Sequence, residues 1–171
     1  MHVHDLAVFM VMETRLGRER AKDITDSLPF DGAIHVDTIG YAGVLWLMWN
    51  ADKVEVTSLA KTKQEIHVTI KVRASNLSWL FSAIYASPRF VKRSILWNNL
   101  IHTVELHSMP WVIAGNFNEP LNNADKLGGR NVSISRSLLL KECLDKCNMV
   151  DLGFSGSRFT WTNWRDAYLL I

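Results

Sequence analysis

Cysteine and proline are scarce in this 171-residue chain, at two and four residues, and glycine contributes only nine. Two cysteines cannot form the disulfide framework that staples small secreted domains. So little proline and glycine excludes collagen-like and low-complexity character. Long apolar runs are missing as well, since none reaches the roughly 18 residues that read as a membrane span. The start, Met1-His2-Val3-His4-Asp5, has no basic region leading into a long apolar stretch. No signal peptide is therefore expected, and the default expectation is an intracellular protein, nuclear or cytoplasmic. Without secretion, the glycosylation-like triplets Asn76-Leu77-Ser78 and Asn131-Val132-Ser133 carry no meaning. Charge of one sign is also lacking: the net charge of +2 is too mild to argue for a nucleic-acid partner by itself.

What is present is the material of a globular core. Hydrophobic residues make up 48% and charged residues 21%, which rules out disorder as the dominant state. A chain of this length also buries a sizeable core. Seven tryptophans are the unusual feature. Most fall inside expected strands or helices, which favours core packing over base stacking.

The apolar run Leu6 to Met12 predicts a strand buried on both faces, closed by polar Glu13-Thr14-Arg15. Residues 16 to 27 carry mixed charges, and Pro29 stops any helix there. After Gly40 and Gly43, Val44 to Trp49 predicts a second buried strand. Val54 to Thr57 and Ile66 to Val72 alternate cleanly, so each is expected to expose one polar face. Trp79 to Tyr85 predicts another strand. Trp97, Leu100, Ile101 and Val104 recur at helical spacing, and Pro110 ends that helix before the strand Trp111 to Ala114. Residues 119 to 133 hold the Pro, Asn and Gly of a loop. Ser135 is a candidate cap for a helix whose stripe is Leu140, Cys143, Leu144 and Cys147. A last strand is expected at Phe159 to Thr162. With no internal repeat and no linker, this mixed order predicts an α/β or α+β sandwich around strand-rich layers.

The informative stretch is Pro110-Trp111-Val112-Ile113-Ala114-Gly115-Asn116-Phe117-Asn118-Glu119-Pro120. A strand runs into a glycine and then sets two amides, Asn116 and Asn118, two residues apart. Strand ends are where rigid sheets present side chains to substrate. Taken alone, Gly and Asn here also suit a plain turn.

The stretch resembles the Gly-Asp-Phe-Asn motif of the endonuclease/exonuclease/phosphatase superfamily, the deoxyribonuclease I-like fold. Met12-Glu13-Thr14-Arg15-Leu16 is similar to that family's metal-ligand segment, and Ile84-Tyr85-Ala86-Ser87-Pro88 to its active-site tyrosine strand. Four more segments resemble a narrower branch, the endonuclease domains of plant LINE-type non-LTR retrotransposons. They are residues 43–50, Lys126-Leu127-Gly128-Gly129-Arg130, Asp151-Leu152-Gly153-Phe154 and Phe159-Thr160-Trp161-Thr162-Asn163. The segments occur in the family's order and together span nearly the whole chain.

The resemblance implies a four-layer sandwich, with two mainly antiparallel sheets face to face and helices outside. It implies Mg²⁺-assisted phosphodiester hydrolysis of DNA by a monomer with no membrane contact. Glu13 matches the metal ligand, a hard oxygen donor suited to Mg²⁺. Asn118 matches the residue that holds the phosphate, Tyr85 contacts the same group, and Thr160 borders the substrate pocket. Asn116 stands where the family has Asp, and an amide cannot accept the proton of the attacking water. The family's first strand would precede residue 1, and its Arg-Leu-Asp and Ser-Asp-His segments would follow residue 171. The expectation is thus a domain truncated at both ends, lacking catalytic groups that act as a unit, and inactive. A non-catalytic nucleic-acid-binding remnant is the alternative, and a product that never folds stably is a third.

Other residues read as structural. His2 and His4 lack further ligands nearby. His67 is expected on the polar face of its strand, and His102 and His107 on a helix surface. Cys143 and Cys147 read as small core residues. Gly128-Gly129-Arg130 is no phosphate loop, because no Gly-Lys-Ser/Thr follows. Lys61, Lys63, Lys71 and Arg73 read as a solvated basic face, with a phosphate-backbone contact as the weaker alternative.

Overall fold

A computed structural model describes residues 5–13, 18–36, 45–128, 131–153 and 155–156. The chain divides into two compact units, Met1–Ser87 with His107–Asn116, and Pro88–Leu106 with Phe117–Ile171.

The first unit holds two sheets. One has the order β1 (Val8–Met12), β3 (Leu45–Trp49), β2 (Gly32–Val36), all antiparallel. The other runs β4 (Val54–Lys61), β5 (Glu65–Val72), β6 (Ser78–Tyr85), β7 (Trp111–Asn116), with only the β6–β7 pair parallel. Strand β3 explains why its sequence is apolar without alternation. Leu45 and Leu47 point into a core shared with Val54, Ile66, Val68, Ile70 and Ala83 of the other sheet. Trp46 and Met48 point the opposite way, against Ala21 of α1 (Arg18–Asp26) and the half-buried Leu28 and Phe30. The two sheets thus pack face to face with a helix outside, the mixed α/β sandwich expected from the sequence.

Strand β1 departs from expectation. Its side chains are half-buried and Phe9 is exposed, because among the described residues β1 is an edge strand covered chiefly on the face of Val8, Met10 and Met12. Strand β2 was not expected at all. Its five residues, Gly-Ala-Ile-His-Val, are too short to display a period and gain their register only by pairing with β3. Trp46, Trp49, Trp79 and Trp111 lie in these strands, Trp97 lies in a helix of the second unit, and all five are at least half-buried, in keeping with core packing. Trp161, Trp164, His2, His4 and the strand expected at residues 159–162 lie outside the described residues.

The expectation for His67 is overturned. It is 5% exposed, and so is its polar neighbourhood: Glu65 is 1% and Ser82 0% exposed. The face expected to be solvated is covered, so its polar groups partner one another. Trp111 Nε1 donates to Ser82 Oγ at 2.8 Å, and Ser82 Oγ lies 2.6 Å from His67 Nδ1. His67 Nε2 is 3.2 Å from Glu65 Oε2, and Thr62 Oγ1 donates to Glu65 Oε1 at 3.1 Å. An indole N–H only donates and a hydroxyl has one proton. Ser82 can therefore donate to Nδ1, while His67 Nε2 and Glu65 Oε2 are in close contact without the geometry of a hydrogen bond. This chain of contacts ties β5, β6 and β7 together by side chains as well as by backbone.

In the second unit, α2 (Phe90–Leu106) packs with α3 (Ile134–Lys146). Arg93, Leu96, Trp97 and Leu100 of α2 are buried, so the stripe sits one turn earlier than expected, with Ile101 and Val104 only half-buried. Leu140, Cys143 and Cys147 are buried as expected, and Leu144 is half-buried. The Cys143 thiol lies 3.4 Å from the Trp97 carbonyl. Its contact with Cys147, together with burial, pushes the thiol up, so Cys143 stays protonated and inert, while the same contact lowers Cys147. Ser133, not Ser135, sits at the N-cap of α3, and its side chain makes no capping bond. His102 is exposed on α2, and His107 is half-buried just beyond the end of that helix.

Replacing Ser82 by Ala is expected to cost about 1–3 kcal/mol, because Trp111 and His67 each lose a buried partner. Thermal unfolding checks this at about 2–4 °C per kcal/mol. Ser78→Ala on the exposed end of the same strand should leave the melting temperature within about 2 °C.

Candidate active site

Strands β1, β6 and β7 all reach one rim of the sandwich with their C-terminal ends, at Met12, Tyr85 and Asn116. Glu13, the first residue past β1, meets Tyr85 across the gap between the two sheets. The Tyr85 hydroxyl donates to Glu13 Oε1 at 3.0 Å, joining residues 72 apart in sequence. Tyr85 is in turn the register partner of Asn116 in the parallel β6–β7 pair. Register partners share a face of the sheet, so Asn116 is placed beside the phenol. Three of the five residues expected from the sequence are brought together here.

The local backbone is shaped for this. Glu13 has φ +60°, a left-handed conformation that costs a non-glycine residue about 1–2 kcal/mol. It turns the chain out of β1 at the residue that reaches Tyr85. Gly115 precedes Asn116 with φ +143°, opposite Ile84. A Cβ on Gly115 would stand 1.9 Å from the Ile84 carbonyl oxygen. Only glycine lets β7 approach β6 this closely, one residue before the pair Tyr85–Asn116. Beyond Tyr85 the register is locked by Ala86 N–H donating to the Asn116 carbonyl at 2.8 Å.

Asn118 belongs to the second unit, where it too is left-handed, with φ +50°. Phe117 stacks on Trp97 of α2, with ring centroids 6.1 Å apart and planes 27° apart. Glu119 forms an ion pair with Arg93, whose Nη1 also donates to the Pro88 carbonyl at 2.8 Å. Thr160 lies outside the described residues. The sequence offered one overlooked signal for Arg93. It falls four residues before Trp97 and seven before Leu100, a charge set on the apolar stripe of α2. For Glu65 and His67 there was none, because alternation marks two faces without saying what covers either.

Among the described residues no group of three His, Cys, Asp or Glu side chains could hold a metal ion. That excludes a protein-only cage there but not the way Mg²⁺ commonly binds. This small, hard ion keeps several waters and takes one or two carboxylates plus substrate phosphate oxygens. Glu13 fits that donor set. It is exposed at the rim, and among the described residues Oε1 takes the Tyr85 hydrogen bond while no such bond is made to Oε2. No helix among the described residues is long and apolar enough to cross a membrane.

No family model and no curated protein matches the chain. Several solved structures share its fold. A 3′ phosphatase from Neisseria, NExo, bound to a product DNA hairpin, aligns over 98% of this chain and 77% of its own at 13% identity, with a TM-score of 0.63. The same protein from Neisseria meningitidis, described as a 3′-5′ exonuclease, gives 0.62 at 13% identity over the same shares. A functionally unknown conserved protein from Enterococcus faecalis aligns over 81% of this chain at 14% identity and a TM-score of 0.53. The chain spans 59% of that protein's length. At these identities the likeness is one of fold, and that fold is the sandwich expected from the sequence.

Gly115→Ala tests the close approach of β7. The substitution is expected to cost about 2–3 kcal/mol, from an enforced positive φ and a backbone clash. A fall in melting temperature, with loss of hydrogen-exchange protection at the Ala86 amide, would bear this out. An unchanged melt would show that β7 can shift without penalty.

Proposed function

We propose that this chain carries a phosphodiester-binding site derived from a Mg²⁺-dependent DNA endonuclease of a plant LINE-type retroelement, and that hydrolysis is lost because Asn116 has replaced the family's Asp. The observation that carries the reading is the hydrogen bond from Tyr85 to Glu13, with Asn116 set beside Tyr85 by strand register. The ordered motif resemblance and the fold likeness support the same reading.

In this site each side chain has a definable task. Glu13 offers a carboxylate oxygen to Mg²⁺, and Tyr85 holds the other oxygen in place. Mg²⁺, when bound, would neutralise charge on the phosphate and the leaving oxygen. By the motif resemblance, Asn118 of the second unit would hold a phosphate oxygen, and Thr160 matches a residue that borders the family's substrate pocket. Asn116 offers an amide where a base is needed. Its oxygen accepts a hydrogen bond from a water and orients it, yet it cannot take the proton. General-base assistance is worth about 10²–10⁴-fold, so the expected product of this site is bound, uncleaved DNA.

The decisive measurement is plasmid nicking with Mg²⁺, and with chelator as control. The chain itself should leave the plasmid intact while binding DNA with an affinity that falls as salt rises. Asn116→Asp should raise metal-dependent nicking above that of the parent, by less than a full general-base factor because the catalytic groups act as a unit, and adding Glu13→Gln should abolish that gain. Robust metal-dependent nicking by the unaltered chain overturns the loss of hydrolysis. No DNA binding at low salt, together with a silent Asn116→Asp variant, overturns the site.

A further inference from the structure

The loop that carries Asn118 is fastened at both of its neighbours to one face of α2. Arg93 and Trp97 are four residues apart, one helical turn, and both are buried. Trp97 stacks with Phe117, the residue before Asn118, and Arg93 pairs with Glu119, the residue after it. The ion pair is nearly sealed from water, with side-chain exposures of 4% for Arg93 and 6% for Glu119. Arg93 is itself held from a second side by its bond to the Pro88 carbonyl. Between these two anchors, Asn118 takes its left-handed φ of +50°.

We infer that Arg93 and Trp97 are positioning residues for Asn118, fixing the backbone from which its amide is presented to a phosphate. The physical argument is one of latitude. A left-handed residue lies about 1–2 kcal/mol above its right-handed form, somewhat less for Asn. A loop free at both sides would therefore visit several conformations and present the amide in only some of them. With residues 117 and 119 each tied to the helix, the intervening peptide has little freedom left. An apolar anchor alone would fix distance but leave rotation. The guanidinium fork, committed to a carboxylate and a carbonyl at once, fixes orientation too. This pairing is costly to bury and would be replaceable by apolar side chains if packing were its only purpose.

The inference rests on the reading of Asn118 as the phosphate-holding residue, and the experiment separates the two. Removing Arg93 alone would strand a buried carboxylate, so the working variant is the double replacement Arg93→Met with Glu119→Leu, which keeps the packing. Trp97→Phe is the second variant. Three quantities are measured on the full chain: the melting temperature, the affinity for a short DNA duplex in Mg²⁺, and the ¹⁵N amide signals of Asn118. The expected result is a melt close to that of the parent and an affinity lower by about tenfold, the loss of one charge-assisted hydrogen bond. The Asn118 signals should be broadened or multiplied. Adding Asn118→Ala to the double variant should cost nothing more, since the anchors and the amide act through one contact. A single, unshifted Asn118 signal in both variants overturns the inference. So does a further affinity loss on adding Asn118→Ala that equals its loss in the parent. If Asn118→Ala leaves the parent's affinity unchanged while its signals still respond to Arg93, the phosphate-holding role fails and the positioning stands.

Discussion

The face-to-face burial of the two sheets is the constraint from which the rest of the first unit follows. Leu45, Leu47, Ile66, Val68 and Ala83 are wholly removed from water between them, and each large aliphatic side chain so buried contributes about 1.5–3 kcal/mol. Because a strand's side chains alternate, fixing Leu45 and Leu47 inward fixes Trp46 and Met48 outward onto α1. The same packing brings the ends of β1 and β6 to one rim. A carboxylate from one sheet and a phenol from the other can then share a hydrogen bond with no dedicated loop to carry them.

Polar groups behind the second sheet answer to a different requirement. Glu65, His67 and Ser82 are buried, so each must find partners within the protein, and with Trp111 they find one another. Such a chain is directional, since every donor must face an acceptor. It therefore resists a slip of β7 along β6 more strongly than apolar contacts would. Register matters here because a shift of one residue would carry Asn116 to the opposite face from Tyr85.

Much of this was legible in the sequence, and the parts that were not share a cause. Long or strongly patterned segments announced themselves: β3 by its unbroken apolar run, α2 and α3 by helical spacing, β7 by its glycine and amides. Glu13 and Tyr85 could be singled out through resemblance, and the hydrogen bond between them gives that pairing a geometry. What the sequence withheld were facts about what lies opposite. β2 is a strand because β3 offers it a partner, and His67 is buried because its face is covered. The α2 stripe ends in Arg93 because Glu119 waits for it. Periodicity describes an element's own faces, and the neighbour that fills each face is a property of the whole fold.

The parallel pairing of β6 and β7 has a kinetic consequence. Antiparallel neighbours such as β4 and β5 close through a short turn, whereas β7 reaches β6 only after the chain has passed through the whole of α2. Closing such a loop is entropically dearer, and non-local pairings of this kind form late. The pairing of Asn116 with Tyr85 therefore waits on the closure of that loop. As an edge strand of the described sheet, β7 is also exposed to local opening. The rim that gathers the candidate residues thus depends on pairings that are non-local in sequence, β1 with β3 as well as β6 with β7.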